Sequence, residues 1–263
     1  MNNPSGNPLP RPHVLGETNY KAVKDENFTV ALLPWGATEA HNYHLPYATD
    51  NIQAEQVAIA AAGMAWDNNA RPVVLPTVPF GVNTGQLDVP LCINMNSSTQ
   101  YAVLRDVVHV LNLQGIQKLV IVNAHGGNDF KPMIRELSIE FPKVFVCSLN
   151  WWQVTDAKAY FDEPGDHAGE LETAVMMHLA PDWVLPLEEA GRGAARTFKI
   201  AGLREGWVSA QRKWTEVTSD TGVGNPELAT REKGRTFFGA VTQIIASFIE
   251  ELHHADLNDM YGN

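Results

Sequence analysis

The chain has 263 residues, with a hydrophobic share of 44% and a charged share of 19%, which excludes a disordered or fibrous protein. A chain of this length buries enough apolar surface to fold without a disulfide or a structural metal, so a bound metal is expected to be functional. Its 19 basic and 30 acidic residues give a net charge of −11, which disfavours nucleic-acid and membrane partners. The opening residues lack the basic and apolar regions of a signal peptide, and no apolar run reaches a membrane span, so we expect a cytoplasmic protein.

Apolar runs alternate with amphipathic stretches along the chain, which is typical of β-α-β units around a parallel sheet. The predicted strands are residues 28–33, 73–78, 119–122 and 144–149. The predicted helices are residues 49–66, capped by Thr49 or Asp50, and residues 97–114, 129–141, 171–179 and 226–253. We therefore predict one α/β domain over residues 1–263, in which residues 1–20 form an arm that packs on the surface or on a neighbouring subunit.

The two cysteines, Cys92 and Cys147, lie in apolar surroundings and lack the spacing of a zinc or redox motif. We interpret both as buried packing thiols. A metal site in this chain is therefore expected to use nitrogen and oxygen ligands.

The first chemically informative loop is GATEAHNYHLPYATD, residues 36–50, which follows the first predicted strand. Glu39 and His41 are one residue apart, so extended backbone directs both side chains to the same side. Asp50 follows nine residues later, and its carboxylate could bridge two cations while His41 supplies an imidazole nitrogen. The structural alternative has Asp50 as a helix cap, Glu39 solvated and His41 packed.

The second loop is VNAHGGND, residues 122–129, directly after the most strand-like segment. His125 is followed by Gly126 and Gly127, whose missing side chains let the backbone approach a ligand closely. The spacing matches neither type of phosphate-binding glycine loop. The alternative is a glycine turn with an incidental histidine.

The third loop is PGDHAGELETA, residues 164–174. Asp166 precedes His167 and could orient its imidazole. Glu170 and Glu172 fall in the first turn of a predicted helix, where the helix dipole alone explains negative charge. That explanation does not account for His167.

Loops that follow parallel strands meet at one edge of the sheet, where ligands bind in such folds. The candidates form a mixed nitrogen and oxygen set typical of zinc, manganese or iron, without sulfur. From the residues alone we predict a metal hydrolase of unspecified substrate. The candidate residues are Glu39, His41, Asp50, His125, His167 and Glu172.

Four ordered motifs extend this interpretation: LPWGATEAHNYHLPYATD, NAHGGN, HAGELETA and GVGNPELATREKGR. Together they resemble the creatininase (creatinine amidohydrolase) family over about residues 28–240. The resemblance implies a three-layer α/β/α fold with a mostly parallel sheet, a dinuclear metal site and a homohexamer. It also implies two divalent ions per chain, zinc and/or manganese, with iron as a further candidate.

The resemblance assigns roles by position. Glu39, His41, Asp50 and His125 match metal-binding positions of the family, with Asp50 in the place of the bridging carboxylate. His167 matches a histidine that serves as acid and base, and we expect Asp166 to orient it.

One position departs from the family pattern. Creatininase carries a glutamate, a ligand of the second metal, two residues after the histidine that corresponds to His125, whereas this chain has Gly127 there. The departure puts full creatininase activity in doubt, and Glu172 is our candidate for the replacement ligand.

The predicted substrate contacts are Trp151, Trp152, His44, Gly126 and Gly127. The two tryptophans follow the last predicted strand, near where creatininase places aromatic residues against its flat substrate. A tryptophan pair could stack on a planar ring, but core packing explains the pair equally well.

The predicted activity is hydrolysis of a C–N bond in a small amide, cyclic amides such as creatinine included, by metal-activated water. Family members with the NxHGGN form act on other amides, so a formamide and a peptide bond are alternative substrates. A non-catalytic ligand-binding protein on the same fold is a rival from another class. A nucleotide-binding domain that uses Gly126 and Gly127 is disfavoured, because a phosphate-binding motif is missing.

Overall fold

The computed structural model describes residues 9–262. Four parallel strands form one sheet with the spatial order β2-β1-β3-β4. Both central strands are buried along their whole length, which explains why their sequences, VALLPW and KLVIVN, are almost continuously apolar. The strands are β1 (Val30–Trp35), β2 (Pro72–Val74), β3 (Lys118–Asn123) and β4 (Phe145–Asn150).

Helices connect the strands and cover both faces of the sheet. The described part of the chain contains α1 (Tyr20–Val23), α2 (Thr49–Asp67), α3 (Ser97–Leu113), α4 (Lys131–Glu140), α5 (Glu170–Leu179), α6 (Ala201–Arg204), α7 (Trp214–Val217) and α8 (Arg231–His254).

The strands divide their side chains between two hydrophobic cores, because successive residues of a strand point to opposite faces. Leu32 and Val120, which are register partners, pack on one face with apolar residues of α2, α5 and α8. Leu33 and Ile121, the next partners, pack on the other face with residues of α3 and α4. This arrangement is the three-layer α/β/α architecture with a parallel sheet, as predicted.

Several element boundaries differ from the sequence prediction. Strand β2 ends at Val74, two residues before Pro76, which has no N–H to donate to a strand ladder. Helix α8 begins at Arg231 rather than at Pro226, because the Thr230 side chain accepts a hydrogen bond from the Lys233 N–H and caps the helix there.

The N-terminal arm falls partly outside the described residues. Within the described part, Val14 is buried and forms a parallel bridge with Val74, and the Val74 N–H donates to the His13 carbonyl at 2.7 Å. This part of the arm therefore packs along the edge of β2.

All strands run in the same direction, so the loops after β1 and β3 open at one edge of the sheet. The first turns of α2 and α5 carry the acidic residues Asp50 and Glu172. Among the helices of the described residues, none combines the length and the apolar composition that crossing a membrane requires.

Candidate metal centre

Six acidic and histidine side chains from four chain segments converge at the carboxyl edge of the sheet. Two come from the loop after β1, one from the first turn of α2, one from the loop after β3, and two from the start of α5 and the turn before it. They fall into three overlapping triads whose ligand atoms lie within 4.8 Å of one another, and the third of these joins His167 to Glu39 and His41. The six are Glu39, His41, Asp50, His125, His167 and Glu172.

The first triad consists of Glu39, Asp50 and His125. The Nδ1 atom of His125 lies 2.8 Å from Glu39 Oε1 and 3.1 Å from Asp50 Oδ2. Both carboxylates are almost completely buried, with 1% of each residue exposed. One imidazole and two carboxylates therefore face a common point away from solvent.

The second triad consists of His41, Asp50 and Glu172. The Nε2 atom of His41 lies 2.9 Å from Asp50 Oδ1 and 4.0 Å from Glu172 Oε2. Asp50 thus belongs to both triads and presents a different oxygen to each. A carboxylate placed in this way is suited to bridging two cations.

The position of Asp50 decides between the two interpretations of that residue. Helix α2 has Ala48 as its N-cap, without a side-chain capping bond. The Thr49 hydroxyl donates to the Pro46 carbonyl at 2.7 Å, and the Asp50 carboxylate faces His41 and His125. The cap predicted at Thr49 or Asp50 is therefore absent from the structure, and Asp50 belongs to the site.

Local backbone geometry holds the loop after β1 in place. Asn42 has a positive φ of 55°, a conformation that asparagine tolerates better than most residues. The Asn42 side-chain amide donates to the Gly191 carbonyl at 2.9 Å, and the Asn42 backbone N–H donates to Thr221 Oγ1 at 2.9 Å. The loop that carries Glu39 and His41 is thereby fastened to chain segments about 150 and 180 residues away.

A second positive φ, 50°, occurs at Ala168 between His167 and α5. This conformation is costly for alanine, and such strain often accompanies functional sites. In this turn the Ala168 N–H donates to Glu172 Oε2 at 2.5 Å. The strained turn therefore helps to orient the Glu172 carboxylate.

Each site histidine has one ring nitrogen against a backbone carbonyl oxygen, which can only accept a hydrogen bond. That nitrogen therefore carries the proton, and the other nitrogen faces the carboxylates. Contacts of this kind with a carbonyl oxygen fix the tautomer of metal-ligating histidines. The pairs are His41 Nδ1 with Glu39 O at 3.2 Å, His125 Nε2 with Val82 O at 3.0 Å, and His167 Nε2 with Ala40 O at 2.9 Å.

The carboxylates also shift the proton affinities of the buried histidines. Burial alone would lower the pKa of His41, but the carboxylates of Asp50, Glu172 and Glu39 outweigh it and raise the pKa to about 10. Burial likewise opposes protonation of His125, yet Glu39 and Asp50 raise its pKa well above the usual value. The site therefore favours positive charge between its imidazoles and carboxylates.

Burial has the opposite effect on the two glutamates. It would raise the pKa of Glu39, but His125 and His167 hold the pKa of that carboxyl below its usual range. At Glu172 burial dominates and raises the pKa, assisted by Asp50 and opposed by His41 and His167.

Divalent cations fit this donor set. Asp50 Oδ2 is buried and makes no hydrogen bond within the described part of the chain, although buried carboxylate oxygens normally have partners. When the imidazoles are neutral, as metal ligation requires, the three carboxylates leave an uncompensated negative charge in a buried site, which is energetically costly. Imidazole and carboxylate ligands without sulfur suit zinc or manganese.

The predicted pairing of Asp166 with His167 is not found among the described residues. Asp166 Oδ2 accepts from both terminal nitrogens of Arg212 at 3.2 Å, and the Ala40 carbonyl orients His167 instead. The Nδ1 atom of His167 lies 3.9 Å from Glu39 Oε1, and the ring meets Trp214 edge to face at 5.4 Å.

The predicted substrate contacts separate into two groups. Trp152, Gly126 and Gly127 line the cavity beside the triads. Trp151 is 1% exposed and packs against Phe237 at a ring distance of 5.9 Å, so it belongs to the core. His44 is also buried, with its Nε2 2.8 Å from Thr173 Oγ1, and it does not line the cavity. Substrate contact by Trp151 or His44 would therefore require a different conformation.

The cavity has a volume of about 420 Å³, within the range of small-molecule sites. Five of the six site residues line it, His41 being the exception. The cavity is also lined by residues that the sequence motifs did not indicate, among them Val82, Gln86, Arg212 and Trp214. The polar, glycine-containing segment FGVNTGQ is a local signal for the first two, while nothing in the sequence near Arg212 distinguishes it from a surface arginine.

Gln86 links the site to Cys92. Its Nε2 donates to Glu39 Oε2, and its Oε1 accepts from the Cys92 thiol at 3.3 Å. The Cys92 sulfur also accepts from the Ala40 N–H at 3.2 Å. Cys92 is thus only half-buried and belongs to a hydrogen-bonded chain, rather than being the buried packing thiol expected from the sequence. Cys147, the other thiol, is also half-buried and packs against the core.

The backbone at Gly127 leaves no room for a side chain. A Cβ atom there would lie 2.3 Å from the Val82 carbonyl oxygen and 2.5 Å from His125 Nε2. The departure from the creatininase pattern is therefore built into the backbone around His125. Glu172 joins the triad of His41 rather than that of His125, and each triad has three ligands without a residue at 127.

A parallel sheet covered by helices, with a buried cluster of histidines and carboxylates at its carboxyl edge, defines an α/β protein of the type that includes metal-dependent hydrolases. The sequence profile of the family described as "Creatininase: Creatinine amidohydrolase" matches residues 16–249. The chain belongs to this family, which confirms the prediction from the four sequence motifs.

Individual relatives agree in fold but differ in name. A crystal structure from Bacteroides fragilis, provisionally named a creatinine amidohydrolase, is 43% identical, covers 93% of this chain and 97% of that chain, and has a TM-score of 0.88. The mycofactocin precursor peptide peptidase of Mycolicibacterium smegmatis is 28% identical over 84% of each chain. The creatinine amidohydrolase of Pseudomonas putida is 25% identical over 88% of this chain and 93% of its own.

Solved creatininases include forms described as "Zn-Zn type" and "Mn". They are 22% and 20% identical to this chain, cover 92% of it and 98% and 99% of their own chains, and each has a TM-score of 0.72. At 22% and 20% identity, the similarity to these two structures shows a shared fold.

Proposed function

We propose that this protein is a metal-dependent amidohydrolase that cleaves a C–N bond. The proposal depends chiefly on Asp50, whose two oxygens face two separate histidine and carboxylate groups. The family membership and the names of the relatives support hydrolytic chemistry on amides.

The residues that would hold two divalent cations, zinc or manganese, follow from the triads. Glu39, Asp50 and His125 would hold one, and His41, Asp50 and Glu172 the other. Such cations lower the pKa of water and polarise a carbonyl group. The carbonyl oxygens behind His41 and His125 hold the proton on the other ring nitrogen and turn the ligating nitrogens toward the carboxylates.

His167 is the proposed acid and base. Its Nε2 proton is held by the Ala40 carbonyl, so proton transfer occurs at Nδ1, the atom nearer to Glu39. The Trp214 ring restrains the imidazole from the side. In this position Nδ1 would deliver a proton to the nitrogen that leaves when the amide C–N bond breaks.

Two substrate classes follow from the relatives: a small amide, with cyclic amides such as creatinine included, and a peptide bond. The names of the relatives divide between the two classes, with creatinine amidohydrolases at 43% and 25% identity and the peptidase at 28%. One observation favours the peptide bond. Trp151, one of the two tryptophans considered for stacking on a flat ring, is buried in the core, and only Trp152 of the pair lines the cavity.

The test begins with chelator-treated protein reloaded with Mn²⁺ or Zn²⁺. It is assayed against creatinine, formamides, small cyclic amides and short peptides, and bound metal is counted by mass spectrometry. We expect nearly two metal ions per chain and turnover that depends on them. A protein without metal after chelator-free purification, and without turnover on this panel, would instead be a non-catalytic ligand-binding protein.

A further inference from the structure

Arg212 is the one lysine or arginine among the described residues that line the cavity. It faces a site whose other charged members are Glu39, Asp50, Asp166 and Glu172, together with the histidines. A cation at this place in a chain with a net charge of −11 requires an explanation beyond solubility.

The guanidinium is held in a defined position. Its Cζ lies 4.7 Å from the centroid of the Trp214 ring, which is a cation–π contact. Trp214 is itself fixed, because its Nε1 donates to the Thr221 carbonyl and its backbone N–H to the Gly85 carbonyl, both at 2.8 Å. Arg212 is therefore positioned before any ligand arrives.

The ion pair with Asp166 leaves much of this guanidinium available. Both terminal nitrogens of Arg212 share the single oxygen Oδ2 of Asp166 at 3.2 Å, longer than a typical charge-assisted bond. Within the described residues the Nε of Arg212 makes no hydrogen bond, and 40% of the side chain is exposed. A second carboxylate can therefore be bound through unused donors.

The same tryptophan contacts both Arg212 and His167. The His167 ring meets the Trp214 ring edge to face, with 5.4 Å between the ring centroids. The proposed proton donor and the guanidinium are therefore both held by one side chain. The part of the substrate on the leaving-nitrogen side is thus expected to lie near Arg212.

We propose that Arg212 binds a carboxylate on the amine side of the scissile amide, as at the C-terminal end of a peptide. This inference rests on the proposed amidohydrolase function and names its substrate class. The planar guanidinium can donate two parallel hydrogen bonds to a planar carboxylate. The contact keeps that negative charge beside the partly exposed Arg212, away from the buried carboxylates.

The experiment uses metal-loaded protein and two matched peptides, one with a free C-terminal carboxylate and one ending in a carboxamide, with cleavage followed by chromatography. We expect the wild type to prefer the free acid in kcat/KM by about tenfold or more. In Arg212→Gln that ratio should fall to about one, mainly through KM, and Arg212→Lys should keep part of it. Arg235→Ala, which removes an exposed arginine outside the cavity, should leave the ratio unchanged.

An unchanged ratio in folded Arg212→Gln, with turnover retained, would overturn the carboxylate assignment and leave the amidohydrolase function standing. If neither peptide is cleaved, the amidohydrolase function is in question, and calorimetric titration with N-acetylglycine and N-acetylglycinamide decides the assignment separately. Tighter binding of the acid that disappears in Arg212→Gln supports it. Equal binding of the two probes contradicts it.

Discussion

The Nε2 atom of His125 lies 3.0 Å from the carbonyl oxygen of Val82, 43 positions earlier in the chain. This contact assigns the ring proton to Nε2 and leaves Nδ1 facing Glu39 and Asp50. A neutral imidazole there would direct its lone pair at two carboxylates, so the arrangement is stable only with a positive charge between them. A residue outside the metal triads thus determines the ligand character of His125.

Replacement of His125 by alanine should remove metal and turnover without unfolding the protein. The histidine lies in a loop and contributes nothing to either hydrophobic core, whereas it supplies the single imidazole of its triad. Metal content by mass spectrometry and far-UV circular dichroism measure the two effects. His109→Ala, at an exposed position on α3, is the control. Wild-type metal content and rate in His125→Ala would show that the site is assigned incorrectly.

The adjacent glycines at positions 126 and 127 should respond oppositely to alanine. At Gly127 the new Cβ would collide with the Val82 carbonyl and with His125, whereas at Gly126 no atom lies within 4 Å. Gly127→Ala should lower the free energy of unfolding by about 1–3 kcal/mol and weaken metal binding. Gly126→Ala should change neither quantity appreciably. Equal effects of the two substitutions, measured by denaturant titration, would contradict the described backbone of this loop.

Gln86 should act as a positioning residue for Glu39. Its Nε2 donates to Glu39 Oε2, and the Cys92 thiol fixes its amide orientation. Gln86→Leu should therefore reduce metal affinity by about 10–100-fold, the usual effect of losing a hydrogen bond to a ligating side chain. The measurement is competition with a metal-binding dye. Gln114→Leu, at the exposed end of α3, provides the comparison, and unaltered affinity in Gln86→Leu would exclude the positioning role.

His44 should make the protein less stable in acid. Burial lowers the pKa of His44 to about 4, assisted by the nearby His41 and opposed by Asp220. The folded protein keeps this ring neutral, while the unfolded chain binds a proton below about pH 6.5. Stability from this group is therefore present above about pH 6.5 and is lost as the pH falls from there toward 4.

The test compares melting temperatures of wild type and His44→Gln between pH 7 and pH 5. Glutamine keeps a donor for Thr173 but does not titrate, so the variant should lose less stability on acidification than the wild type. His254→Gln, at an exposed position near the end of α8, should follow the wild-type curve. Parallel curves for wild type and His44→Gln would show that His44 does not contribute to acid sensitivity.

The amino-acid sequence alone determined the class of the fold, the family and the segments that carry the site. Continuous apolar runs predict buried parallel strands because such strands are covered on both faces, and β1 and β3 lie within three residues of their predicted limits. Helix ends were less predictable, since Thr230 rather than Pro226 starts α8 through a capping bond. Motif spacing is likewise a local property, so it indicated Glu39, His41 and His125 as candidate ligands, and the structure brings these side chains together.

The tertiary structure alone decided which side chains share a partner. Asp166 lies beside His167 in sequence, yet it pairs with Arg212 from a segment 46 residues away, and the Ala40 carbonyl orients His167 from 127 residues away. Trp151 and Trp152 are adjacent residues of the same type, but only Trp152 lines the cavity. Such contacts depend on how distant loops are placed by the packing of the helices on the sheet. Local sequence patterns do not encode that placement.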